Sequence, residues 1–135
     1  MSPNVRGFLY GTGLIAVIPS LGLGLALANA IGNWNFFLLG SVFLAGFVTA
    51  LAATSRRFWL ALGQVVPAVL VALVLFAVGF RYDARWENAD IGSAAVRALL
   101  FAPLALALCA AGGGLGWLLT RGSTPNTSLE RTRER

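Results

Sequence analysis

The acidic residues of this chain are concentrated in one short polar stretch, FRYDARWENADIG, at residues 80–92. Outside the last six positions, Asp83, Glu87 and Asp90 are the only carboxylates in the sequence. On a helix, Asp83 and Glu87 would share a face at i and i+4, and Asp90 would follow at i+3. Three carboxylates could attract Ca²⁺, but this ion takes roughly six to eight oxygen ligands in a turn geometry that the stretch does not contain. We therefore expect a solvated connection here, with Asp90 or Ser93 capping the next helix, and no metal site.

The remaining inventory of reactive side chains is small. The sequence has no His, no Lys and a single cysteine, Cys109. Mechanisms of the Ser-His-Asp and Cys-His types are therefore excluded within the chain. Cys109 lies in an apolar run, where a small packing role is the simplest interpretation. We expect a non-enzymatic protein with no catalytic residue and no cofactor.

The elements around these residues belong in a membrane. The chain is 58% hydrophobic and only 11% charged, whereas soluble domains carry about 25% charged residues. Long runs without Asp, Glu, Lys or Arg cover residues 7–55, 58–80 and 98–120. Because a helix needs roughly 20 apolar residues to cross the membrane core, the first run holds two spans and the others one each. The predicted spans are residues 8–30, 35–54, 58–80 and 94–120.

These spans predict an all-α, polytopic integral membrane protein with four transmembrane helices in an up-down bundle. Backbone groups in hydrocarbon must be satisfied within helices or closed barrels, and the runs lack the alternation of barrel strands. The bundle is expected to occupy residues 1–120, with an outer loop at 81–93. The polar tail at 121–135 is predicted to be disordered. Prolines at 19, 67 and 103 predict bends within their helices.

An alternative for the N-terminus is a cleaved signal peptide. Arg6 precedes an apolar stretch that ends in the A-x-A sequence of residues 28–30. However, signal peptides have apolar cores of about 7 to 15 residues, shorter than the run at 8–27. We therefore expect the first span to be retained, and its removal would leave three spans in the same orientation.

The arginines predict the orientation. All ten basic residues are arginines, and seven fall on one side of the predicted spans and three on the other. Short cytoplasmic loops retain basic residues, so both termini are predicted to be cytoplasmic. Abundant Ala and Gly, with Arg in place of Lys, are typical of a GC-rich bacterial gene. We therefore expect the cell inner (plasma) membrane. The positive charge is explained by this orientation, so we expect membrane lipid and no nucleic acid as a partner.

Small residues predict where helices pack, because close approach drives association in lipid. Helix 1 carries small residues at every fourth position: Thr12, Ala16, Ser20, Gly24, Ala28 and Gly32. The last helix contains the G-x-x-x-G pair Gly112 and Gly116. Helices 1, 2 and 4 are expected to pack closely while much of helix 3 faces lipid. The sequence leaves open whether the helix 1 row receives another helix of the chain or a second copy.

Two function classes remain open. We favour a structural or accessory membrane protein that acts through helix contacts, as a homo-oligomer or in a larger membrane complex. The alternative is an oligomeric channel or facilitator subunit, with Thr12, Ser20, Asn29, Thr49 and Gln64 as candidate lining. A coupled transporter usually needs an ionisable residue within a span, and the predicted spans have none. Candidate partner or pore contacts are Gln64, Asp83, Arg85, Trp86, Glu87 and Asp90.

Overall fold

The computed structural model describes residues 1–28, 30–31, 33–82 and 90–122, and within these ranges the regular structure is entirely helical. The helices are α1 (Pro3–Leu27), α2 (Asn35–Ala52), α3 (Arg57–Gly63), α4 (Val65–Tyr82) and α5 (Ile91–Arg121). Four stretches are long and apolar enough to cross a membrane: α1, α2, the combined stretch Arg57–Gly79, and α5. The predicted all-α class with four apolar helices is confirmed at this level.

Two helices begin earlier than their apolar runs predict, because polar caps extend them. Ser2 caps α1, where its hydroxyl accepts a backbone N–H of the first turn at 3.4 Å, and Pro3 occupies the first turn, where its missing N–H is harmless. Asp90 caps α5 by accepting the Ser93 N–H at 2.8 Å and the Ser93 hydroxyl at 2.9 Å. The predicted capping of this helix by Asp90 is confirmed. Both extensions are therefore regular helix: the first includes Arg6, and the second begins at Ile91.

The third apolar run is broken rather than continuous. Gln64 separates α3 from α4, and its N–H bonds to the carbonyl three residues earlier at 3.2 Å. The bend expected from Pro67 explains the break, because proline has no N–H to offer the Gly63 carbonyl and its ring crowds that turn. Pro19 and Pro103 lie inside α1 and α5, and neither helix ends there.

The helices contact one another in a ring. α2 packs most extensively against α1 and α5, and α4 contacts both α5 and α1. Gly7 lies beside Ala52 while Gly22 lies beside Phe37, so α1 and α2 run antiparallel. Gly79 near the end of α4 lies beside the later part of α1, so these two helices run parallel. α3 fills the end of the ring between α2 and α5.

The contact between α2 and α5 is a close approach of two backbones. A Cβ built at Gly46 would lie 2.8 Å from a backbone oxygen of α5, and one built at Gly112 would meet the Phe43 carbonyl. Gly116 continues the contact one turn later, where a Cβ would come within 2.9 Å of Ala50. Both members of the G-x-x-x-G pair therefore lie in this interface. The two helices run parallel, and small residues permit the short distance between them.

α4 is more deeply packed than the sequence predicts. Val66, Leu70 and Val74 are exposed on one face, as expected for a lipid-facing helix. The opposite face buries Ala68 and Ala72 completely, in the same apolar core as α2 and α5. The expectation that much of the third predicted span faces lipid therefore holds for one face only, because Ala68 and Ala72 let a neighbouring helix approach the other face.

Candidate functional site

The predicted small-residue row of α1 points away from the rest of the chain. Thr12 is half-buried, whereas the next four members of the row are exposed: Ala16, Ser20, Gly24 and Ala28. The last member, Gly32, lies outside the described residues. A Cβ built at Gly24 would meet nothing within 4 Å. Within the chain α1 therefore packs through a different face, and the row stays a prediction for a contact with a second copy or another protein.

The face that α1 buries contains a glycine pair that sequence reasoning missed. Its members recur every four residues, one position earlier than the predicted row: Gly7, Gly11, Ile15 and Pro19. A Cβ at Gly11 would meet the Thr49 hydroxyl, and it would lie 2.5 Å from Gln64 Nε2 and 2.9 Å from the Ala45 carbonyl. Only glycine leaves room for these polar atoms. The available signal was the G-x-x-x-G spacing of residues 7 and 11.

Gln64 lies at the centre of a polar cluster that joins α1, α2 and the α3–α4 break. Its side chain is 0% exposed. The Nε2 group donates to the Phe8 carbonyl at 2.7 Å and to the Thr49 hydroxyl at 2.9 Å. The Oε1 atom accepts from the Thr12 hydroxyl at 3.1 Å. We call Gln64, Thr49, Thr12 and the carbonyls of Gly7 and Phe8 the Gln64 cluster.

The Gln64 cluster is internally satisfied. Thr49 donates to the Gly7 carbonyl at 3.3 Å, and Thr12 can also donate to the Phe8 carbonyl at 3.0 Å. Among the described residues, no buried side-chain polar atom lacks a hydrogen-bond partner. A buried amide with both N–H groups bonded holds the three elements in register, and it offers no free donor to a solute. The burial of Gln64 is thus explained as helix attachment within one chain.

Other candidate pore residues do not join this cluster. Ser20 is exposed on α1, and its hydroxyl donates to the Ala16 carbonyl at 2.6 Å. Asn29 lies outside the described residues. The polar lining predicted for a channel is therefore not assembled within the described part of a single chain.

Most of the acidic stretch lies outside the described residues, namely Asp83, Arg85, Trp86 and Glu87. Asp90 is described, and it caps α5. The Ser93 N–H, followed by the Ser93 hydroxyl, stabilises its carboxylate and lowers the pKa of Asp90 below its ordinary value of 3.8. No group of three or more potential metal ligands occurs within the described ranges. Asp90 therefore has a structural role at this end of the molecule.

At the opposite end, Asn4 ties the start of α1 to the loop between α2 and α3. Its Oδ1 atom accepts the backbone N–H groups of Thr54 and Ser55 at 3.0 and 3.2 Å. Its Nδ2 group donates to the Ser55 hydroxyl at 2.7 Å. These bonds link residues about fifty positions apart and fix the loop that carries Arg56 and Arg57.

Beside this loop lies an open cavity of about 410 Å³. We call it the arginine pocket. Its lining comes from the α2–α3 loop, the start of α3 and the last turn of α5: Thr54, Ser55, Arg56, Arg57, Phe58, Trp59, Trp117, Thr120 and Arg121. Three arginines and two tryptophans thus line one cavity at the end of the helix ring.

Local geometry positions the cationic side chains. Arg56 adopts a left-handed backbone with φ 50° and ψ 32°, which is uncommon for a residue other than glycine. It is the only such residue in the described part of the chain. The Arg121 guanidinium lies 4.5 Å from the centre of the Trp117 ring, within cation–π range. Sequence reasoning used the arginines only to predict membrane orientation. The i, i+4 spacing of Trp117 and Arg121 was the only local signal that these two residues share a site.

Comparison with known proteins gives no further assignment: no family model, no curated protein and no solved structure matches this chain. Its function is therefore argued from its own residues.

Proposed function

We propose that the chain is an integral protein of a bacterial inner membrane, with four spans in an up-down bundle and both termini in the cytoplasm. The four apolar stretches alternate in direction along the chain, which supports this arrangement. The Asn4 bonds and the arginine pocket bring together one set of arginines, comprising Arg6, Arg56, Arg57 and Arg121. Arg81 and Arg97 lie toward the other end, on α4 and α5. The richer end is assigned to the cytoplasm by the positive-inside rule.

Within that membrane, the proposed role is structural or accessory and non-enzymatic, with no nucleic acid partner. The observation that carries the proposal is the outward face of α1, where Ala16, Ser20 and Gly24 are exposed. Leucine-rich surfaces are well solvated by lipid tails, whereas a face of small residues admits close packing of another helix. The chain satisfies its inner contacts through Gly7 and Gly11 and leaves this second small face for a second copy or a larger membrane complex.

Disulfide crosslinking in native membranes tests the α1 contact. In a Cys109→Ala background, Ser20→Cys should form a crosslinked species with a second copy or with another membrane protein. Val74→Cys is a matched control, because Val74 is exposed on the lipid-facing side of α4. Gly79 lies beside Leu23, so Val74 is near the depth of Ser20 in the parallel helix. Equal crosslinking at the two positions, or none at Ser20, would contradict the proposal.

A second variant separates contact from folding. Gly24→Leu should abolish the Ser20 crosslink without lowering the unfolding midpoint, because a Cβ at Gly24 meets nothing within 4 Å. Crosslinking that persists in this variant would show that the small-residue face is not the contact.

The alternative role, an oligomeric channel or facilitator, is supported by none of the contacts described above. Of the polar groups expected to line it, those among the described residues are bonded within the Gln64 cluster or face away from it. Reconstitution into liposomes separates the roles. The accessory role predicts vesicles as tight as protein-free ones, whereas a solute leak abolished by Gln64→Leu would establish the channel instead.

A further inference from the structure

We propose that the arginine pocket binds the phosphate headgroup of an anionic phospholipid. The site goes beyond the accessory role of α1, and it rests only on the membrane embedding proposed above. The chemistry required is recognition of a phosphate oxygen by guanidinium groups at headgroup depth, with the acyl chains remaining outside the pocket.

The charge of the pocket favours an anion. Arg56, Arg57 and Arg121 all line it, and each guanidinium offers a planar fork of N–H donors that matches phosphate geometry. None of its described lining residues is acidic. Asp90 is the only described acidic residue, and it caps the far end of the 31-residue α5, about 45 Å away at 1.5 Å per residue. The charged side chains in the described lining of the pocket are therefore all cationic.

The Ser55 hydroxyl adds a directional hydrogen-bond donor. Ser55 Oγ accepts the Asn4 Nδ2 group at 2.7 Å, which leaves the Ser55 hydroxyl proton to donate to an oxygen of the ligand. The same Asn4 residue holds the loop through its backbone N–H groups. The donor is therefore fixed in position before the ligand arrives, which lowers the entropic penalty of binding.

The size and surroundings of the cavity favour a lipid over a soluble phosphate compound. A cavity of about 410 Å³ lies at the small end of the range of about 300 to 1,000 Å³ for ligand pockets. It has room for a phosphoglycerol headgroup but not for a whole lipid. Trp59 is 72% exposed and Trp117 is 39% exposed. Indole rings prefer the boundary between headgroups and acyl chains, so the rim of the pocket suits the glycerol region of a lipid.

The test is lipid binding by the purified full-length chain, measured by native mass spectrometry in detergent. The probes are phosphatidylglycerol and phosphatidylcholine at equal concentration. A basic residue close to an anionic lipid headgroup contributes about fivefold in affinity, and we apply this factor only to the arginines that line the pocket. We expect the chain to prefer phosphatidylglycerol, and we expect the preference to fall by about twenty-five-fold when Arg56→Gln and Arg57→Gln are combined.

Matched controls separate the pocket from general charge. Arg6→Gln removes one positive charge at the same end of the molecule but outside the pocket, and Arg81→Gln removes one at the other end. Both should keep the preference. Arg121→Gln should weaken it by about fivefold. Because Arg121 is on α5, this variant remains informative if substitutions in the α2–α3 loop impair folding.

Three outcomes would overturn the proposal. The first is equal binding of the two lipids. The second is equal loss of preference in Arg6→Gln and in the pocket variants. The third is displacement of the lipid by soluble glycerol phosphate at comparable concentration, which would assign the pocket to a soluble phosphate compound. The assay uses dispersed single chains, so failure of the α1 crosslink would leave its result unaffected.

Discussion

Substitution of Gly11 by alanine should destabilise the bundle, whereas the same substitution at Gly13 should not. The two glycines lie within one turn of α1. A Cβ at Gly11 meets Thr49 and Gln64 side-chain atoms and the Ala45 carbonyl, whereas a Cβ at Gly13 meets nothing within 4 Å. Both substitutions gain the same helix propensity, about 1 kcal/mol in soluble helices. The difference between the two variants therefore isolates the contact.

The magnitude follows from two effects. Overpacking a close contact typically costs about 1 to 3 kcal/mol. Displacement of Gln64 also weakens its bonds to Phe8, Thr49 and Thr12, and side-chain hydrogen bonds between membrane helices average about 0.6 kcal/mol each. The free energy of unfolding of Gly11→Ala should therefore be about 2 to 4 kcal/mol below that of Gly13→Ala.

The assay is equilibrium unfolding in mixed micelles, with increasing mole fraction of a denaturing detergent and tryptophan fluorescence as the signal. Both variants should expose similar surface on unfolding, so the midpoints can be compared directly. Equal midpoints for Gly11→Ala and Gly13→Ala would refute the inference that the buried glycine face, rather than the outward row, joins α1 to α2.

Further predictions concern the second glycine contact, the Gln64 cluster and the α5 cap. Gly112→Ala should lower the unfolding midpoint and Gly114→Ala should not, because only the first Cβ would meet the α2 backbone; equal midpoints would contradict the close α2–α5 approach. Gln64→Leu should cost only about 1 to 2 kcal/mol, since its hydroxyl partners keep alternative acceptors; complete unfolding would refute this estimate. Because the pKa of Asp90 is lowered in the folded chain, its stabilisation is present above pH 3.8 and is lost as the pH falls through the folded pKa. Protection of the Ser93 amide from hydrogen exchange should fall over that interval, whereas Asp90→Asn should cap the helix without this pH dependence.

The apolar runs were sufficient to predict the helices, because length and hydropathy alone determine whether a segment can cross a bilayer. The Asp90 cap could also be predicted, since a carboxylate just before an apolar helix is a common N-cap. The break at Gln64 was only partly predictable. Pro67 indicates a bend, but the sequence does not show that the helix is interrupted three residues earlier, or that the Gln64 side chain reaches Thr49 and Phe8.

The buried face of α1 was not predictable from spacing. α1 carries small residues on two faces, one containing Gly7 and Gly11 and the other Ala16 and Ser20. Spacing assigns residues to a face but does not show which face meets a neighbour. In this chain, polar side chains of other elements determine which face of α1 is buried. The Gln64 side chain occupies the space beside Gly11 that a Cβ would fill.

The arginine pocket was missed for a related reason. Its two halves come from the loop after α2 and from the end of α5, which are far apart in the sequence. Each half alone has the composition of a membrane boundary, with arginine beside tryptophan. Only the parallel packing of α2 and α5 brings Arg57 and Arg121 to one cavity.

The glycine contact between α2 and α5 also affects synthesis of the protein. The Cys109 thiol lies against the Val42 carbonyl, 67 residues earlier, so at about 5 to 20 residues per second a growing chain waits roughly 3 to 13 s for that partner. In the proposed membrane arrangement, the second hydrophobic segment would enter the bilayer during this interval with its glycine-containing contact surface uncovered. A nascent chain halted after the first two segments would keep that surface available, and we expect membrane chaperones or quality-control proteases to recognise such a fragment more readily than the finished protein.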